Sequence, residues 1–112
     1  MLRAPVCFTF YRLRRSQEIK DSDAHEKAMQ GNGDAQLEVG VAFYENVEHE
    51  TAFEFFTMSA KNGNAEAMNK LGYMLYKGIG CEKDHELAKV HWENGARLGN
   101  QKAAGNLRLI LL

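Results

Sequence analysis

AMNKLGYMLYKGIGCEKDHELAKVHWENGARLGN, residues 67–100, decides the fold, because its closing signature occurs three times in the chain. That signature is Ala96-x-x-Gly99-Asn100-x-x-Ala103, and it repeats Ala28-x-x-Gly31-Asn32-x-x-Ala35 and Ala60-x-x-Gly63-Asn64-x-x-Ala67. The copies stand 32 and then 36 residues apart. A period in that range marks a stack of like supersecondary units. The likeness extends outward from the signature: Phe55-Phe56 recurs as His91-Trp92, Ala52 as Ala88, and Val39-Gly40 as Leu71-Gly72.

Each unit reads as helix, turn, helix, turn. A glycine after the last helical turn takes the left-handed conformation that closes a helix, and asparagine tolerates it next best. Gly31, Gly63 and Gly99 are therefore read as C-caps. Ala35, Ala67 and Ala103, with Gly40 and Gly72, put small side chains where helices cross, and Phe55, Phe56, Trp92, Leu71 and Leu75 fill the space between layers. The pattern predicts an all-α chain with helices near 18–30, 34–45, 50–62, 66–77, 84–98 and 102–111. Asp34 and Asp84 stand at the start of two of them, where a carboxylate accepts from free backbone N–H groups. Glu50 and Glu66 add favourable charge to first turns. The turn Lys77 to Asp84 carries Gly78 and Gly80, whereas Glu45 to Glu50 in the earlier unit carries no glycine; the connection of the earlier unit is four residues shorter, which accounts for the two periods.

At 112 residues the chain is one domain by size. Its net charge of −1 is unevenly placed, since residues 1–17 carry Arg3, Arg12, Arg14 and Arg15 without an acid, leaving −5 on the rest. The repeats thus lack the basic stripe that nucleic-acid binding requires. No apolar run reaches the ~18 residues of a membrane span, so no membrane insertion is expected. Cys7 and Cys81 are the two cysteines, and no bridge recurs from unit to unit; the reading is disulfide-free and cytoplasmic. Near the start, Arg12, Arg14 and Arg15 follow the apolar Val6 to Tyr11, the wrong order for a secretory signal, and the serine enrichment of an organellar transit segment is missing. Residues 1–17 are read as an arm or degenerate helix covering the end of the stack.

The string Ala67-x-x-x-Leu71-Gly72-x-x-x-x-x-Gly78-x-Gly80-x-x-x-Asp84-x-x-x-Ala88-x-x-x-Trp92-x-x-x-Ala96-x-x-Gly99-Asn100 resembles a Sel1-like repeat, a relative of the tetratricopeptide repeat. The resemblance covers about residues 20 to 108, with units at 35–66 and 67–102 flanked by half units at 18–34 and 103–112, so that the repeat domain is 18–112. It implies a short right-handed α–α superhelix. Three departures concern packing. The family's tyrosine after Leu-Gly is Phe43 or Leu75, with Tyr44 and Tyr76 one place later; its tryptophan position is His91, one before Trp92; and its glycine is Arg108 in the last half unit, where no further helix is expected to pack.

Catalytic and metal motifs fail on geometry. His85 and His91 evoke a zinc-protease helix, but six residues leave the imidazoles about 120° apart around the axis, so one face cannot present both. Cys81, His85 and His91 lack a fourth ligand for structural zinc. The carboxylate pairs Glu48/Glu50 and Glu82/Asp84 fall in loops without an apolar pocket and read as solvated. Nucleophile-elbow, phosphate-loop and Cys-x-x-Cys motifs are absent, and Gly78-Ile79-Gly80 follows no strand. The expectation is a non-enzyme without cofactor or metal.

The first helices of stacked hairpins line a concave surface free to bind. The positions read as facing it are Gln36, Glu38, Val41 and Glu45 in one unit and Met68, Lys70, Tyr73 and Lys77 in the next, with Tyr73 the leading candidate. Glu45, Glu48 and Glu50 form an acidic patch at the short loop. Leu107, Leu109, Ile110, Leu111 and Leu112 leave an apolar end that needs a cover: the arm Val6 to Leu13, a continuation of a longer chain, or a second copy in a homodimer, which is the favoured reading. The resemblance implies a scaffold or adaptor that binds another protein or peptide, in a family with many bacterial members. The alternative it implies is an immunity protein whose acidic face, Glu38, Glu45, Glu48 and Glu50, occludes a basic toxin cleft.

Overall fold

A computed structural model describes residues 3–112, with side chains from Thr9 onward; Met1, Leu2 and the side chains of Val6 and Cys7 lie outside the described residues. Among the described residues seven helices follow one another: α1 Arg3–Lys20, α2 Asp23–Met29, α3 Gly33–Glu45, α4 His49–Lys61, α5 Ala65–Lys77, α6 His85–Arg97 and α7 Gln101–Ile110. Helices α3 and α4 form one antiparallel hairpin, α5 and α6 the next, and α7 packs on both α5 and α6. The molecule measures 45 × 36 × 19 Å, and the short dimension matches two helix diameters of about 10 Å, hence two layers.

The repeated signature closes one helix and opens the next. Gly31, Gly63 and Gly99 have φ of 98°, 88° and 94°. Their N–H groups donate to the carbonyls of Ala28, Ala60 and Ala96 at 3.0, 2.9 and 2.9 Å, as in a left-handed helix terminus. The following asparagines then turn to the next helix. The Oδ1 atoms of Asn32, Asn64 and Asn100 accept from the N–H groups of Ala35, Ala67 and Ala103 at 2.9, 2.9 and 2.8 Å. All four fixed positions of the signature thus take part in one junction.

Two expectations are corrected here. Asp34 is not the cap of α3, because Asn32 holds that place; Asp34 Oδ1 instead accepts from Asn64 Nδ2 at 3.0 Å, linking adjacent units. Asp84 does cap α6, accepting from the Leu87 N–H at 3.0 Å. The helix read at 18–30 is two, broken at Asp21-Ser22, where the Ser22 hydroxyl donates to the Ile19 carbonyl at 2.7 Å and accepts from the His25 N–H at 3.1 Å. A serine that both ends one helix and starts another outweighs the apolar periodicity across it.

Within each hairpin, a ring occupies the place of a missing side chain. A Cβ on Gly40 would lie 2.6 Å from the Phe56 ring, and one on Gly72 would lie 2.5 Å from the Trp92 indole nitrogen. The glycines are therefore notches for aromatic side chains rather than points of close backbone crossing. Trp92 Nε1 donates to the Asn69 carbonyl at 3.1 Å, which satisfies its buried N–H. The four extra residues of the second unit are absorbed outside this contact: three residues join α3 to α4 and seven join α5 to α6. The longer loop lies over the start of α4, where Gly80 lacks the Cβ that would lie 2.5 Å from the His49 carbonyl oxygen.

The short loop is strained. Val47 has φ of 61°, in the same helix-closing position that glycine fills elsewhere, with its N–H donating to the Tyr44 carbonyl at 3.0 Å. A β-branched residue in that region costs roughly 1–2 kcal/mol. Val47→Gly is accordingly expected to raise stability by about 1 kcal/mol, the relief being partly offset by the freer unfolded chain. It should be read as a higher urea midpoint at unchanged slope. A second comparison tests the notch. Gly72→Ala should cost roughly 1–3 kcal/mol by overpacking. The same change at Gly105, a position inside α7 with nothing within 4 Å of an added Cβ, should gain about 0.5–1 kcal/mol.

Candidate functional site

Helices α3, α5 and α7 enclose an open groove of about 390 Å³. Val41, Tyr44 and Glu45 form its wall on α3; Asn69, Lys70, Tyr73 and Met74 form its wall on α5; Phe56 closes the floor, and Asn106 enters from α7. Of the eight positions expected to face it, Val41, Glu45, Lys70 and Tyr73 line it. Glu38 and Lys77 are exposed outside the lining, with Lys77 Nζ 6.0 Å from the Tyr73 ring centre.

Gln36 and Met68 are corrected: they are 3 % and 9 % exposed and turn into the stack. Gln36 Nε2 donates to the Ala28 carbonyl at 3.0 Å, and its Oε1 accepts from Asn62 Nδ2 at 2.8 Å. Met68 lies against α6, with its Cβ near Gly95. The cause is angular, for at 100° per residue positions 36 and 68 stand about 140–200° from the other positions assigned to their helices.

Tyr44, Phe56, Asn69, Met74 and Asn106 are the groove residues that sequence reasoning missed. Asn106 stands 36 residues after Lys70, so the repeat register marked it as groove-facing. Asn69 is 9 % exposed, and its Oδ1 accepts from Asn106 Nδ2 at 2.9 Å. Tyr44 packs against His49 with ring centres 4.8 Å apart and the rings tilted by 43°, a pairing repeated as a stack by Tyr76 and His85 at 4.4 Å. Tyr73 is 43 % exposed above this floor. Lys70 Nζ lies 3.6 Å from Glu66 Oε2, which also meets Lys102 Nζ at 3.9 Å and accepts through Oε1 from the α7 cap Asn100 at 2.9 Å.

The other candidate groups have structural occupations. Cys81 donates its thiol to the Met74 and Ile79 carbonyls at 3.6 Å, and burial raises its pKa, which disfavours a reactive thiolate. His85 stacks on Tyr76, while His91 is half-buried. Among the described residues no three His, Cys, Asp or Glu side chains gather where they could hold a metal. The acidic patch is smaller than expected, because Glu48 is turned onto α1: it accepts from Ser16 Oγ at 3.1 Å and from Asn46 Nδ2 at 2.7 Å. Arg12 Nη2 donates to the Val47 carbonyl at 3.2 Å beside it. Helix α1 packs on α2 and α3 and leaves Leu109, Leu111 and Leu112 exposed, so it does not cover the apolar end. No described helix is long and apolar enough to cross a membrane.

Fold and groove together define a helical-hairpin repeat protein with an open concave face. The Sel1 repeat family model matches residues 33–64 and 65–100, more than half of the chain, and the chain belongs to that family. A crystal structure of a Sel1 repeat protein from Oxalobacter formigenes superimposes with a TM-score of 0.73 at 30 % identity, covering 76 % of this chain and 67 % of that one. Similar relatives include the ERAD-associated E3 ubiquitin-protein ligase component HRD3 of Candida glabrata, 35 % identical over 57 % of this chain and 8 % of its own length. The DAP3-binding cell death enhancer 1 of Rattus norvegicus is 28 % identical over 76 % of this chain and 17 % of its own. The Activator of C kinase protein 1 of Saccharomyces cerevisiae is 47 % identical over 34 % of this chain and 6 % of its own. The chain thus spans less than a fifth of the length of these curated relatives.

His91 supplies a test of the packing around α6. Burial lowers its pKa below the ordinary value of about 6.5. Below pH ~6.5 the unfolded chain therefore binds more protons at this site than the folded one, and stability falls as pH decreases. His91→Gln should flatten that decline between pH 7.5 and 5.5 in urea titrations; an unchanged slope would mean that His91 is protonated freely in the folded protein.

Proposed function

We propose that this chain is a non-catalytic protein-interaction module that holds a partner protein in the groove between α3, α5 and α7. The observation that carries this reading is Tyr73, a large aromatic residue left 43 % exposed beside an apolar floor. Aromatic residues at the centre of a concave site are the usual anchors of binding energy. The wording of two relatives' names, a ubiquitin-ligase component and a DAP3-binding protein, points the same way for the family. The inhibitor reading is weaker, since Glu48, one of its four acids, is engaged by Ser16 and Asn46.

The test is capture from native extract of the source cells, using the intact chain, a Tyr73→Asp variant, and a Glu86→Lys control on the exposed side of α6. A partner retained by the intact chain and the control, and reduced at least tenfold by Tyr73→Asp at equal helicity, is the expected outcome. Equal retention by all three would place binding away from the groove and end the proposal.

A further inference from the structure

The groove has a polar requirement that its apolar walls conceal. Asn69 is nine-tenths buried in its lining, and one side of its amide is bound to Asn106. The other side, Nδ2, has no partner among the described residues, and neither has Asn106 Oδ1. Whichever way round the two amides are set, the pair keeps one N–H and one C=O directed to the groove. The open groove leaves both groups to solvent; an occupant that covers the pair strips that solvent and must itself offer an acceptor and a donor, since burying them unpaired is costly.

A helical occupant cannot do so with its backbone, whose interior N–H and C=O groups are already paired. An extended segment offers both groups at every residue, matched to the donor and acceptor of the amide pair. Charge then sets its composition. Glu45, exposed on the α3 wall, has no cation within ion-pair distance among the described residues, whereas Lys70 on the opposite wall is held by Glu66 at 3.6 Å. The unmatched charge on the α3 wall is therefore negative. Between Glu45 and the amide pair stand Tyr44, Tyr73 and Met74, an apolar middle.

Resting on the adaptor reading, we infer that the groove takes an extended peptide segment with a Lys or Arg toward Glu45 and an aliphatic or aromatic residue over Tyr73. The segment's backbone is hydrogen-bonded to the Asn69–Asn106 pair. With helices about 10 Å apart, crossing from α3 to α7 spans about 20 Å, or about six residues at ~3.3 Å each. The basic and apolar residues then lie two or three positions apart.

The test is selection of phage-displayed random linear 12-residue peptides on the full chain, followed by binding measurements with synthetic versions of the enriched sequences. Convergence on a basic residue two or three positions from an apolar one is expected. Asn106→Leu, on a half-buried position, should weaken those peptides at least tenfold, and Glu45→Lys, on an exposed one, should turn the selection toward Asp or Glu. No enrichment, enrichment of helical patterns with apolar residues three and four apart, or undiminished binding to both variants would each overturn the inference. If extract capture still depends on Tyr73 in those cases, the adaptor reading stands and only the extended mode falls; if capture is also indifferent to Tyr73, both fall.

Discussion

Everything else in this chain depends on a ring seated in a glycine notch. Phe56 on Gly40 and Trp92 on Gly72 stand where a Cβ would otherwise be, and that contact fixes both the separation and the register of the two helices in each hairpin. Its influence crosses the layer. The Trp92 indole N–H binds the Asn69 carbonyl, so the backbone that presents the Asn69 side chain to the groove is held from behind by the second helix. Phe56 likewise fills the Gly40 notch and forms part of the groove floor. The groove is thus shaped from behind by side chains of the second helices.

Because the notch sets the register, loop length is free to vary, and each hairpin uses its loop differently. The three-residue turn of the first is closed by a strained Val47, and its polar groups receive α1 through Arg12 and Ser16. The seven-residue turn of the second relaxes onto glycines and folds over the start of α4. Polar seams then join the units: Asn64 reaches Asp34, and Asn100 reaches Glu66, one unit later. Asn64 and Asn100 therefore each serve their own helix with the side-chain oxygen and the preceding unit with the nitrogen.

The fold was legible because the residues that specify it recur at fixed spacing, and a repeated pattern separates structural from incidental positions. What stayed hidden has physical causes. Asparagine after glycine was legible as a residue tolerant of positive φ, but its second use as a cap needs the course of the next helix, so the capping role fell to Asp34 instead of Asn32. The break at Ser22 lies outside the clear repeats and had no second copy to mark it. In the groove, Val41, Glu45, Lys70 and Tyr73 followed from helical position, whereas Gln36 and Met68 share sequence proximity with them but not direction. The Asn69–Asn106 pair joins residues 37 apart, and nothing in either local sequence shows that they meet.

In helix α7 the notch is filled. It begins as a first helix, capped by Asn100 and burying Ala103 as α5 buries Ala67, yet Arg108 stands where Gly40 and Gly72 stand earlier. A side chain therefore stands where the other units seat an aromatic ring, and Leu111, in the register of the buried Leu75, is exposed. The same helix still completes the groove, because Asn106 lies in the register of Lys70 and reaches Asn69. α7 therefore closes the concave side although its notch position is filled, so the residues that face the groove and the residue that forms the notch are specified separately along a first helix.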